Sequence, residues 1–254
     1  MQARTQESLV VGQFGERAAE YLVSPVHAQG ADLAALAALA RGQGRALDLG
    51  CGGGHVAYAV APNVGEVVAY DLSPQMLAVV AEAAKSRGLA NLRTVQGPAE
   101  RLPFDDASFD LVLSRYSAHH WRDFDAGLRE AARVLKPGAE AGFVDVVSPG
   151  VPLLDTYLQA VELLRDTSHV RDRSRAEWED ALARAGFVAG GVTPFRVRLA
   201  FPEWIARMRT PEGLAGAIRA VQAVMADAVQ RHFAIEPDGS FVIDVALFTA
   251  RRAP

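Results

Sequence analysis

The chain has 254 residues, half of them hydrophobic and 22% charged, a composition that supports a folded core and excludes a disordered or fibrous chain. A formal net charge of -4 provides no overall positive field for a phosphate backbone, so nucleic acid is not the expected partner. Cys51 is the only cysteine, which rules out an intrachain disulfide and a thiolate-rich zinc site, and the polar start Met1–Leu9 lacks an apolar leader. With no run of about 18 apolar residues to span a bilayer, the expected location is the cytoplasm.

Helical periodicity predicts a helix over Glu7–Leu22, ended by Ser24-Pro25, and a second over Ala31–Ala40. Arg45–Leu49 reads as a short buried strand, Gly50–Gly54 as a tight loop and His55–Ala61 as a helix. Glu66–Tyr70 is the next strand, followed by a helix that runs to Arg87, with Ser73 as N-cap and Pro74 at its first position. Leu92–Gln96 and Phe109–Ser114 supply two more strands. A helix over Asp123–Leu135 ends at Pro137-Gly138 before a strand over Gly142–Val147. Alternating strands and helices with short connections predict an α/β fold, a parallel sheet covered on both faces.

Beyond Ser148-Pro149-Gly150 the pattern changes. Helices are expected over Leu153–Arg165 and Arg175–Ala185, the second opened by a capping box of Ser174 and Glu177. Phe187–Leu199 and Phe241–Thr249 read as an antiparallel pair at one sheet edge, with a helical stretch of about Glu212–Phe233 between them. The expected organisation is one domain: an N-terminal lid over 1–29, a core over 30–150, a helical segment over 151–186, and edge strands over 187–254 carrying a helical insertion at about 200–238.

The sharpest local signal is Asp48-Leu-Gly50-Cys-Gly52-Gly-Gly54 at a strand-to-helix turn, where glycines admit positive φ and bring a ligand against bare backbone. As a dinucleotide fingerprint it is ambiguous. Gly50-x-Gly52 is followed by His55 where a third glycine belongs, whereas the shifted frame Gly52-x-Gly54-x-x-Ala57 satisfies the relaxed form. Asp48, two residues before the first glycine, is poorly placed for a pyrophosphate and well placed beside a cationic amino-acid head. Asp71 lies 17 residues after Gly54, close to the spacing at which a carboxylate reaches ribose hydroxyls; a helix-capping role is compatible with that one.

Over roughly Phe14–Phe187 the sequence resembles class I S-adenosylmethionine-dependent methyltransferases, in the branch typified by ubiquinone and menaquinone biosynthesis C-methyltransferases. The matching pieces are Leu47-Asp-Leu-Gly-Cys-Gly-Gly-Gly54, Asp71-Leu-Ser-Pro-Gln-Met-Leu77, Ala99-Glu-Arg-Leu-Pro-Phe104, Ser108-Phe-Asp-Leu-Val112 and Arg133-Val-Leu-Lys-Pro-Gly138. The resemblance implies a Rossmann-like, seven-stranded, mostly parallel sheet with S-adenosylmethionine as cofactor and S-adenosylhomocysteine as product. It implies that Asp48, Gly50, Cys51, Gly52 and Gly54 hold the methionine end, Asp71 the ribose, and Leu72 or Met76 one adenine face. Ala99 would offer its backbone N–H to the ring. Such families usually carry an acidic residue where Pro98 stands, and Glu100 or water is the expected substitute. Ser114 would pass beside the methionine portion, and Tyr21 on the N-terminal helix would stack or hydrogen-bond over the cofactor.

Methyl transfer from a sulfonium is an in-line displacement in which positioning supplies much of the catalysis, and a base is needed only for acceptors that must lose a proton. Arg115-Tyr-Ser-Ala-His-His-Trp121 follows the fourth strand at the ligand-bearing sheet edge, making His119 and His120 the candidate bases, with no preference between them. Arg115, Asp145, Arg165 and His169 are candidate substrate residues, the last two in the polar cluster Arg165-Asp-Thr-Ser-His-Val-Arg171. His27 reads as structural. No linear metal-ligand spacing is present, so no metal is expected. The expected function is methyl transfer to a small-molecule acceptor. Its rivals are a non-catalytic S-adenosylmethionine-binding module and an NAD(P)-dependent oxidoreductase.

Overall fold

Five short runs rich in Val, Leu and Ala form the centre of the fold: β1 (Arg45–Leu49), β2 (Glu66–Asp71), β3 (Leu92–Gln96), β4 (Phe109–Arg115) and β5 (Leu135–Ser148). The computed structural model of the chain describes residues 5–15, 30–42 and 44–254. All five strands run parallel, and β1, β2 and β4 are buried along nearly their whole length, as expected of strands covered on both faces. Two late strands extend the sheet, β7 (Phe187–Leu199) and β8 (Phe241–Arg252), in the order β3-β2-β1-β4-β5-β8-β7, and a two-residue β6 (Arg173–Ser174) pairs with β5 off this path. The sole antiparallel member of the seven is β8, which pairs with both β5 and β7. The expected mostly parallel seven-stranded sheet with an antiparallel edge pair is therefore the observed one.

The strand order reverses between β1 and β4, which places a crevice at the carboxyl ends of these strands. Helices flank the sheet: α1 (Gln6–Gly15), α2 (Ala31–Ala37), α3 (His55–Val60), α4 (Pro74–Ser86), α5 (Phe124–Val134), α6 (Pro152–Arg165) and α7 (Arg175–Arg184). Their starts follow local capping chemistry. Ser73 Oγ accepts from Met76 N at 3.3 Å, Asp123 Oδ1 accepts from Ala126 N at 2.9 Å, and both halves of the Ser174/Glu177 capping box form. On one sheet face Trp178 stacks on Phe248 with ring centroids 4.9 Å apart, fixing α7 against β8.

Three elements depart from the sequence expectation. The turn expected at Pro137-Gly138 is a bulge inside β5: Leu135 pairs with Phe109 and Glu140 with Leu111, so 136–139 loop out, with Gly138 at φ 73°. The insertion between β7 and β8 is three helices, α8 (Phe201–Met208), α9 (Glu212–Val224) and α10 (Asp227–His232), where one stretch from Glu212 to Phe233 was expected. The chain is extended at Met225 and Ala226, and the Gln230 side chain donates to the Gln222 carbonyl, a cap supplied from the next helix that periodicity does not reveal. Of the expected N-terminal helix, Gln6–Gly15 is seen; Tyr21, His27 and the rest of that helix to Leu22 lie outside the described residues. No helix among the described residues is long and apolar enough to cross a membrane.

Candidate active site

The loop after β1 is held by main-chain bonds: Gly50 N and Cys51 N both donate to Tyr70 O, at 2.8 and 2.9 Å. Gly50 has φ 72°, and a Cβ there would meet Ser117 Oγ at 1.8 Å, so only glycine fits. Gly52, at φ 47°, has nothing within 4 Å of a built Cβ and presents bare backbone to open space. From the end of β2, Asp71 braces this loop; Oδ2 accepts from Gly52 N at 2.8 Å and Oδ1 from Ser73 N at 2.9 Å. Helix capping at this point falls to Ser73, so the Asp71 carboxylate retains lone pairs toward the cleft.

Asp48 is 2% exposed, and its Oδ2 accepts from Ala57 N in the first turn of α3 at 2.9 Å. Burial pushes its carboxyl up to about 7, opposed by the Ala57 hydrogen bond and reinforced by the charge of Asp71. Burial likewise raises Asp71, and with these two carboxylates it raises the Cys51 thiol, leaving that sulfur unreactive. A buried carboxylate of this kind is suited to the ammonium of a bound ligand.

These groups line a cleft of about 1070 Å³, partly open to solvent, which Leu72, Met76, Pro98, Ala99 and Glu100 also line. Glu100 Oε1 accepts from Asp123 N at 3.1 Å, and Tyr70 Oη donates to Pro98 O at 3.1 Å, which together fix the loop after β3. Gln6, Glu7, Val10 and Phe14 of α1 line the same cleft from above.

Two residues expected here stand elsewhere. Ser114 Oγ donates to Leu49 O at 2.8 Å and ties β4 to β1, lining neither this cleft nor the next. Gly54, at φ 81°, is the N-cap of α3 and does not line the cleft. Arg115, expected at the substrate, belongs to this first cleft instead: at the last residue of β4 it turns toward α2 and pairs with Asp32 at 2.7 Å, both side chains buried.

A second cleft of about 640 Å³ adjoins the first, and Phe14, Tyr116 and His120 line both. Tyr116 holds φ 51°, an uncommon value for a bulky residue, directly after β4. Its lining mixes apolar side chains, Val146, Val197, Leu199, Trp204 and Ile243, with the polar and charged His119, Glu162, Arg165, Asp166, Asp172 and Arg207. Arg165 lines this second cleft, its Nε donating to Trp204 O at 3.0 Å and its guanidinium 3.6 Å from Glu162.

The paired histidines differ in environment. His119 Nδ1 lies 2.5 Å from Asp145 Oδ1, and its backbone N donates to Asp145 Oδ2 at 3.2 Å. Burial alone would lower its pKa, but the Asp145 charge and hydrogen bond outweigh it and push it up to about 9. His120 Nδ1 donates to Ser168 O at 3.1 Å, and burial together with the neighbouring His119 cation pushes it down. The neutral His120 ring, with its proton on Nδ1, keeps an unprotonated Nε2, which lies 3.9 Å from Asp166 Oδ2. Asp145 and His169 do not line either cleft. Asp145 stands behind His119, and His169 Nε2 is bound to Gln159 Oε1 at 3.0 Å, so His169 also acts from behind, its ring centroid 5.8 Å from that of His119.

Sequence reading did not single out Tyr116, Glu162, Asp172, Trp204 or Arg207. Glu162 carries a usable signal, because it falls in the buried register of α6 formed by Leu154, Tyr157, Leu158 and Val161.

A family model described as a methyltransferase domain matches residues 47–143. Over 200 residues the chain is 48% identical to the uncharacterized protein YafE of Escherichia coli, covering 79% of this chain and 97% of that protein. It is 37% identical to the uncharacterized methyltransferase YcgJ of Bacillus subtilis, covering 78% of this chain and 79% of the relative. The crystal structure of YcgJ superposes with a TM-score of 0.84, at 32% identity, over 88% of this chain and 98% of that one. A demethylmenaquinone methyltransferase of Staphylococcus carnosus is 33% identical over 53% of this chain and 58% of its own length. With the sheet order and the glycine loop in place, these matches establish that the chain belongs to the methyltransferase family.

Proposed function

We propose that the chain is an S-adenosylmethionine-dependent methyltransferase whose first cleft takes the cofactor and whose second cleft takes a small-molecule acceptor, with His120 at the passage between them. The observation that carries this reading is the junction itself: a cleft with bare glycine backbone and the Asp71 carboxylate meets a second cleft at one neutral histidine. Asp48 would face the ammonium and Asp71 the ribose diol, with Leu72 and Met76 against the adenine. The cofactor supplies an activated methyl group on a sulfonium. The acceptor atom forms a bond to that methyl as the carbon–sulfur bond breaks, its electron pair passing to sulfur. The acceptor's proton goes to His120 Nε2. His119, held by Asp145, supplies positive charge beside the acceptor as it loses that proton.

The mixed lining of the second cleft favours an acceptor that carries both apolar surface and a polar or ionisable group. The Staphylococcus relative, named for a menaquinone precursor, makes quinol-like acceptors a sensible first panel. Protein incubated with methyl-labelled S-adenosylmethionine and either that panel or a small-molecule extract should label at least one acceptor, and the His120→Gln variant should not. Tight cofactor binding without transfer to any acceptor would favour a binding module instead.

A further inference from the structure

Asp172 is 1% exposed, lines the second cleft, and its Oδ2 has no hydrogen-bond partner. A buried carboxylate oxygen left in this way is strongly unfavourable unless a cation or donor completes it. His169 Nε2 lies 3.9 Å away, too far for a hydrogen bond, and is engaged with Gln159. One ring nitrogen of His119 and one carboxylate oxygen each of Asp145 and Asp172 lie within 4.8 Å of one another. These residues come from the turn after β4, from β5 and from the loop before β6, so no linear spacing announces them.

We propose that His119, Asp145 and Asp172 bind a divalent transition-metal ion in the wall of the second cleft, with its open positions facing the acceptor space. Once the proton held between His119 and Asp145 is released, one neutral imidazole and two carboxylates give a donor set of charge -2, which balances a divalent ion. The ion then replaces the His119 cation as the positive charge beside the acceptor. Nitrogen in the set favours manganese, iron, cobalt or zinc over magnesium or calcium. The supporting layer is already ordered. Asp145 Oδ1 accepts from Val146 N at 2.9 Å, and Gln159 holds the Asp172 main chain on both sides, accepting from Asp172 N at 3.0 Å and donating to Asp172 O at 2.6 Å. The open positions take water or an oxygen of the acceptor, which places the ion where it polarises that oxygen. Uptake of the ion requires neither the methyl-transfer reading nor knowledge of the acceptor, so the two can fail separately.

The test is titration of chelator-stripped, tag-free protein with Co(II), followed by visible absorption and calorimetry, with thermal melting of every variant. One saturable equivalent is expected, with a rise in melting temperature. Asp172→Asn, which keeps the side-chain shape and removes one carboxylate ligand, should fold and bind Co(II) at least tenfold more weakly, and His119→Gln should do the same. His232→Gln, which breaks the His232–Asp244 pair at 2.8 Å on another part of the molecule, should bind as the wild type does. The proposal is overturned if the folded wild type shows no saturable uptake of Co(II), Mn(II) or Zn(II), or if Asp172→Asn binds as tightly as the wild type.

Discussion

In Asp48→Asn, stability and ligand binding should move in opposite directions. Asparagine keeps an oxygen to accept the Ala57 N–H, the contact that Asp48 Oδ2 now makes at 2.9 Å, but it cannot ionise. A carboxyl raised from 3.8 to about 7 by burial carries on the order of 4 kcal/mol against its charged form. The sign follows from proton uptake. Between pH 4 and 7 the folded chain keeps Asp48 protonated while the unfolded chain ionises it, so on this account wild-type stability falls as pH rises and levels off above 7. The asparagine variant lacks that loss. For a chain of this size about 1 kcal/mol shifts the melting temperature by roughly 2–4 °C, so the ligand-free variant should melt about 10 °C above the wild type at pH 8.5 and nearly level with it at pH 4. Calorimetric melting of both proteins from pH 4 to 9 measures this. S-adenosylmethionine should stabilise the variant less than the wild type at pH 8.5, because the ammonium has lost its counter-charge. A difference that does not change with pH, or a variant less stable than the wild type at pH 8.5, would refute the reasoning.

Ser114→Ala should lower stability by about 1–3 kcal/mol in denaturant unfolding, since the Leu49 carbonyl loses a buried donor, and should leave cofactor affinity within twofold. Once an acceptor is identified, His120→Gln should cut the single-turnover rate by about 10²–10⁴ with cofactor affinity little changed; a full rate would remove His120 from proton transfer. Pro98→Asp restores an acceptor where the resembling families have one, beside Ala99 in the first cleft, and should tighten S-adenosylmethionine binding several-fold by calorimetry. Weaker binding would mean that Glu100 or water already satisfies the adenine amino group.

The parallel core, the caps at Ser73 and Ser174, and the glycine loop are legible because each depends on residues within a few positions of one another. Ser114 was misplaced for a definite reason. Its expected place came from the resemblance, whereas its hydroxyl turns to the Leu49 carbonyl inside the sheet, a contact across 65 residues that no local pattern announces. The second cleft is assembled from α1, the turn after β4, β5, α6, the loop before β6, β7, α8 and β8, and no local pattern joins them. The difference between His119 and His120 is equally remote, set by Asp145 26 residues away and by Ser168 48 residues away.

The most direct test of the cofactor reading is calorimetric titration of the wild type and Asp71→Ala with S-adenosylmethionine, S-adenosylhomocysteine and NAD. The account predicts saturable binding of the first two to the wild type, at least tenfold weaker binding in the variant, and no comparable binding of NAD. Preference for NAD, or S-adenosylmethionine affinity indifferent to the loss of Asp71, would contradict it.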